Sequence, residues 1–120
     1  MFDEHTVIRG DRDSSHTLHV RIDGTELSAA RSQMVVNHSP DGFEAGYGGS
    51  GPAQLALAIL LEFMGQEHRS RAVRMHQAFK DEFITRLPDD GWIITGAQVI
   101  NWLSRQNGIV RALTPVPGIV

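Results

Sequence analysis

The segment FEAGYGGSGPAQLALAILLEFMG, residues 43–65, passes from a cluster of glycines straight into an unbroken apolar run. Pro52 marks where the run becomes helical, because proline is favoured at the first helical position, where its missing N–H costs nothing. Ser50 or Gly51 caps the start. Gln54 stands three residues beyond Gly51, within reach of a free backbone donor, and Gly65 ends the helix. Leu55, Leu57, Ile59, Leu60, Leu61, Phe63 and Met64 point all round the circumference, so this helix must be covered on most sides. The run contains Glu62 and is well short of the roughly 20 apolar residues of a bilayer span, which predicts a core helix and no membrane contact.

Upstream, residues 5–10 and 16–22 read as strands. Leu18, Val20 and Ile22 alternate with His19 and Arg21 and turn one apolar face to a core. GDRDSS between them is a polar loop. Asp23-Gly24 supplies the positive backbone angles of a tight hairpin, and Thr25 to Leu27 returns as a partner strand. The pattern predicts a short strand around Met34 to Val36, a turn at NHSPDG (37–42), and a strand over Phe43 to Gly46 leading into the glycines.

Downstream, Ala72, Met75, Phe79, Phe83 and Leu87 recur at steps of three and four, which predicts a second helix from about Glu67 to Leu87, ended by Pro88-Asp89-Asp90-Gly91. Trp92 to Ile94 reads as a strand. Thr95 and Gln98 have capping-box spacing for a third helix that turns Val99, Trp102, Leu103 and Gln106 inward and closes at Gly108. The fold expected is α+β: a small, mostly antiparallel sheet packed on a buried central helix with two further amphipathic helices. It forms a single domain over 1–113, followed by a loosely held tail, TPVPGIV, at 114–120.

A chain of 120 residues supports one well-buried core. With 41% apolar and 21% charged residues it has ordinary globular composition, and a formal charge of -3 argues against a general nucleic-acid or anionic-membrane binder. The absence of cysteine removes disulfides, thiolate nucleophiles and cysteine metal sites, and suits a cytoplasmic location. The acidic start, MFDEHTVIRG, lacks the positive charge and apolar run of an export signal.

GYGGSG, residues 46–51, satisfies the letter of the G-x-G-x-x-G dinucleotide fingerprint, but a helix follows where a second parallel strand with an acidic ribose ligand is required. Pro52-Ala53 replaces the Lys-Ser or Lys-Thr of a phosphate loop, and Pro52 also denies Ser50 the glycine of a nucleophile elbow. Three readings remain: a sharp strand-to-helix turn, an anion rest at a helix N-terminus, or a recognition rim carrying Tyr47. His16 and His19 are expected on opposite faces of a strand and the other histidines are scattered, so no metal site and no cofactor are expected. Asp81-Glu82 and Asp89-Asp90 read as solvated pairs. Arg69, Arg71 and Arg74, with Lys80, give the second helix a basic half that suits phosphate backbone or an acidic protein surface, or is simply a solvated face.

Over Phe43, Glu44, Gly46 to Gln54 and the LALAILL run, the sequence resembles a family of small domains of unknown function in prokaryotes and their viruses, marked by GFE-x-GYGGSGPAQLALA. The resemblance extends through the Asp-Gly turn, NHSP, and the segment Trp92 to Leu103. It implies tryptophan as the common residue where Ala45 stands. It supplies no reaction or catalytic residue. Its setting implies an accessory protein of a virus or mobile element, including an inhibitor of a host defence complex such as a CRISPR effector. The function expected is therefore a non-enzymatic protein-binding domain using Tyr47, Gly48, Gly49, Ser50, Gly51, Gln54, Arg69, Arg71 and Arg74. The alternative is a phosphate- or nucleotide-binding domain or enzyme built on the glycine loop.

Overall fold

The computed structural model describes residues 2–106. Strands β1 (Val7–Arg12), β2 (Leu18–Ile22) and β3 (Thr25–Glu26) form a meander, and β4 (Trp92–Thr95) joins the far side of β1. The sheet runs β3-β2-β1-β4 with every pairing antiparallel. Helices α1 (Ala30–Val35), α2 (Ser50–Met64), α3 (Arg69–Glu82) and α4 (Gly96–Ser104) complete the α+β fold.

Period-two alternation places Ile8 and Gly10 of β1, Leu18, Val20 and Ile22 of β2, and Trp92 and Ile94 of β4 on the buried face. Gly10 lies opposite Trp92, and a methyl group there would collide with the indole, so the ring covers the strand only because position 10 has no side chain. Arg12 continues the same inward register. That register carries a guanidinium to the core's edge.

Helix α2 is buried from Gly51 to Leu61 and again at Met64. It packs chiefly on α3, whose inward residues are Ala72, His76 and Phe79. Gly65 ends α2 at φ 90°, and its N–H bonds Leu61 O. Thr95 and Gln98 form the reciprocal capping box that opens α4.

The structure corrects five local readings. Residues 30–35 are a helix and Val36 alone is extended: Ser32 is buried in α1, and its hydroxyl bonds Ala29 O and accepts from Gln54, a tertiary bond that overrides the strand preference of the valines. Residues 43–46 have no partner strand and form an irregular segment held by side chains. Helix α2 begins at Ser50, with Gly49 as its N-cap and no side-chain cap, so Gln54 is not a capping residue. The second helix is broken into a 3-10 turn at Gln66–His68, α3, and a 3-10 turn at Ile84–Arg86. Arg12 belongs to β1 and not to the loop after it. The readings of Gly108 and of the 114–120 tail lie outside the described residues.

Candidate functional site

The irregular segment 43–49 is pinned from below by Arg12. Its Nη2 lies 2.8 Å from Glu44 Oε1 and its Nη1 donates to Glu44 Oε2 at 3.3 Å. Its Nε donates to Asp89 O at 3.0 Å and sits 3.2 Å from Asp89 Oδ1, while Nη1 also reaches His16 O. His16, at φ 65°, places its ring 3.2 Å from the other oxygen of Asp89. The Arg12 side chain is only 9% exposed. The hydrogen bond to Glu44 raises its pKa further despite burial, so the charge is permanent. One arginine thereby ties the end of β1 to the segment before α2 and to the turn before β4.

Above this clamp lies the rim. Gly46 N–H bonds Ile84 O, and Tyr47, Gly48 and Ser50 are exposed, Tyr47 being 52% open to solvent. The tyrosine folds back over Gly49, where a Cβ would lie 2.7 Å from its Cε2. Gly51 is buried beneath Glu44, and a Cβ there would lie 2.6 Å from Glu44 Cβ and 3.1 Å from the Glu44 nitrogen. The glycines at 49 and 51 thus serve close approach, one to a ring and one to a backbone. A cavity of about 350 Å³ opens between Tyr47, Glu44, His16, Leu87 and Asp89.

The sequence-derived site residues do not converge. Tyr47, Gly48, Gly49 and Ser50 form the rim, whereas Gly51 and Gln54 are internal. Gln54 is fully buried and its amide is occupied on both ends: Oε1 accepts from the His38 and Ser39 N–H groups, and Nε2 donates to Val36 O and Ser32 Oγ. Arg69 donates to Gln66 O and lines a different groove with Met34, Val36 and Val73. At about 100° per residue, Arg74 lies roughly 140° round α3 from Arg69, so the arginines do not make one face. Among the described residues no group of three or more metal-ligating side chains forms, and no helix is long and apolar enough to cross a membrane.

The model of a family of unknown function (DUF6166) matches residues 8–105, from β1 through α4. The chain belongs to this family. No curated protein and no solved structure matches the chain. The DUF6166 match therefore spans all of the sheet except Val7 and all four helices, including both ends of the Arg12 clamp.

Sequence reasoning missed Arg12, Glu44, His16 and Asp89 as a group, because their pairings span 32 and 77 positions. One signal was readable: Arg12 falls on the inward register of Ile8 and Gly10, where a charge requires a partner. A second missed pairing joins His38 and His76, whose Nε2 atoms are 2.9 Å apart.

Proposed function

We propose that this DUF6166 protein is a non-enzymatic binding domain that docks a protein partner on the rim formed by Tyr47, Gly48, Gly49 and Ser50. The carrying observation is the half-exposed Tyr47 ring, seated on Gly49 and carried on a segment whose Glu44 is gripped by Arg12. A tyrosine carried on a segment anchored in this way offers a large amphipathic contact with few side-chain torsions to order when the partner arrives. A phosphate or nucleotide is less well supported at the same place. The carboxylate-bearing Glu44 packs on Gly51, where an anion would have to approach the start of α2. A nucleic-acid contact through Arg69, Arg71 and Arg74 is weakened by their spread around α3.

The setting implied by the family resemblance is an accessory protein of a prokaryotic virus or mobile element acting in the cytoplasm. A host defence complex of the CRISPR type is the partner class that setting favours. The test is a photo-crosslinking residue at position 47, with the same residue at exposed Gln77 of α3 as control. The reading expects one defined protein adduct from position 47, absent from the control, and no rise in melting temperature with nucleotides. Equal labelling from both positions, or a nucleotide-dependent rise lost in Gly49→Val, would overturn it.

A further inference from the structure

His76 is 3% exposed on the inward face of α3. Its Nδ1 lies 2.6 Å from Val73 O, so that nitrogen carries the proton and donates. Its Nε2 is then left as a lone-pair acceptor, and it faces His38 Nε2 at 2.9 Å. While His76 is neutral the His38 nitrogen must therefore be an N–H donor, and the bond is lost once both rings are protonated, because neither then has a lone pair to accept. His38 belongs to the 37–42 loop, whose backbone is held by Gln54 through the His38 and Ser39 N–H groups and by Gln33 through Ser39 O.

The charged surroundings oppose a proton on His76. Burial is the largest influence and pushes its pKa below the ordinary value. The bond to Val73 works the other way, and His38 and Lys80, one turn along α3, depress it further. The loop contributes His38 and exposed Asp41. The only charged residue of α2 is Glu62, which is paired with Arg31 of α1.

We infer that the His38–His76 pair is a pH-responsive latch: it holds the 37–42 loop against α3 while at least one of the two rings is neutral and lets go when both are protonated. Two imidazolium rings face each other with an N–H on both nitrogens and cannot bond, and among the described residues no carboxylate pairs with His76 to offset the second charge. The depressed folded pKa fixes the sign. Latching is complete above the ordinary histidine value of about 6.5 and is lost as pH falls toward the lower folded value. The loop runs on through Phe43 to Glu44, so release slackens the segment gripped by Arg12. This inference stands apart from the docking proposal and needs no partner.

The test is amide hydrogen exchange of the full chain between about pH 7.5 and about pH 5, together with NMR titration of the imidazoles. Protection of the His38 and Ser39 amides falls about tenfold per pH unit within the window below 6.5, after correction for intrinsic exchange, while α2 amides such as Ile59 keep theirs. His76→Gln removes the step. His38→Ala, on a partly exposed residue, gives weak pH-independent protection at Ser39 and moves the His76 titration upward. Unchanged protection at both amides in the unsubstituted protein, or a His76 titration at or above 6.5, would sink the latch, and neither result depends on a variant folding.

Discussion

Arg12 and Glu44, 32 positions apart, meet as a two-pronged ion pair, with Nη2 2.8 Å and Nη1 3.3 Å from the two carboxylate oxygens. The pair joins the sheet to the segment that carries the rim. Removing one member of a fully buried ion pair destabilises by about 3–5 kcal/mol. Glu44 and Asp89 are partly in water here, so Arg12→Met is expected to lose about 2–3 kcal/mol in urea unfolding. Arg12→Lys recovers less than half of that loss, because a single ammonium cannot span Glu44, Asp89 and His16 O at once.

Two neighbouring glycines separate folding from contact. At Gly51 an added methyl meets the Cβ and backbone nitrogen of Glu44. Neither atom can swing aside, so Gly51→Ala is expected to lose about 1–3 kcal/mol. At Gly49 the nearest atoms to the methyl all belong to the exposed Tyr47 ring, which can rotate away. Gly49→Ala changes stability by under about 1 kcal/mol but displaces the phenol, and the partner adduct formed through position 47 falls with it. Equal stability losses at both positions would contradict this division.

What could be read from the sequence was local. The course of α2, the Asp23-Gly24 turn and the Thr95–Gln98 box are each decided locally, by an unbroken apolar run between Pro52 and Gly65, a positive φ or a bond from i to i+3. Met34 to Val36 reads as a strand because two valines favour one in isolation, while Ser32 and Gln54, 22 positions apart, hold a helix that runs through Val35 and leaves Met34 87% exposed. Residues 43–46 look like a strand but find no edge to pair with. The clamp and the histidine latch depend on partners that no local pattern relates.

Gln54 is the internal organiser of the segment after α1. Gln54→Leu keeps the volume of the side chain yet strips partners from the His38 and Ser39 N–H groups, Val36 O and Ser32 Oγ. Each buried group left unpaired costs about 1–3 kcal/mol, and water can reach some of them, so a loss of roughly 2–5 kcal/mol is expected. A change below about 1 kcal/mol in chemical denaturation would mean that the loop is held by other contacts.

His19 stands between two carboxylates, with Nδ1 3.0 Å from Glu26 Oε2 and Nε2 2.8 Å from Asp13 Oδ2. Both nitrogens can donate only in the imidazolium, and the bonds to Glu26 and then Asp13 raise its pKa, while those from His19 hold both carboxyls below their usual range. A raised folded pKa stabilises below the unfolded value of about 6.5 and stops doing so as pH climbs through the folded value. The depressed carboxyls act oppositely, withdrawing their share as pH falls below about 4. The urea midpoint of the unsubstituted protein should therefore exceed that of His19→Gln between about pH 4 and 6.5, and the gap should close at higher pH. His76 drives stability the other way on acidification but is common to both proteins, so the difference isolates His19. A gap that widens above neutrality would show that His19 is held neutral on the sheet surface.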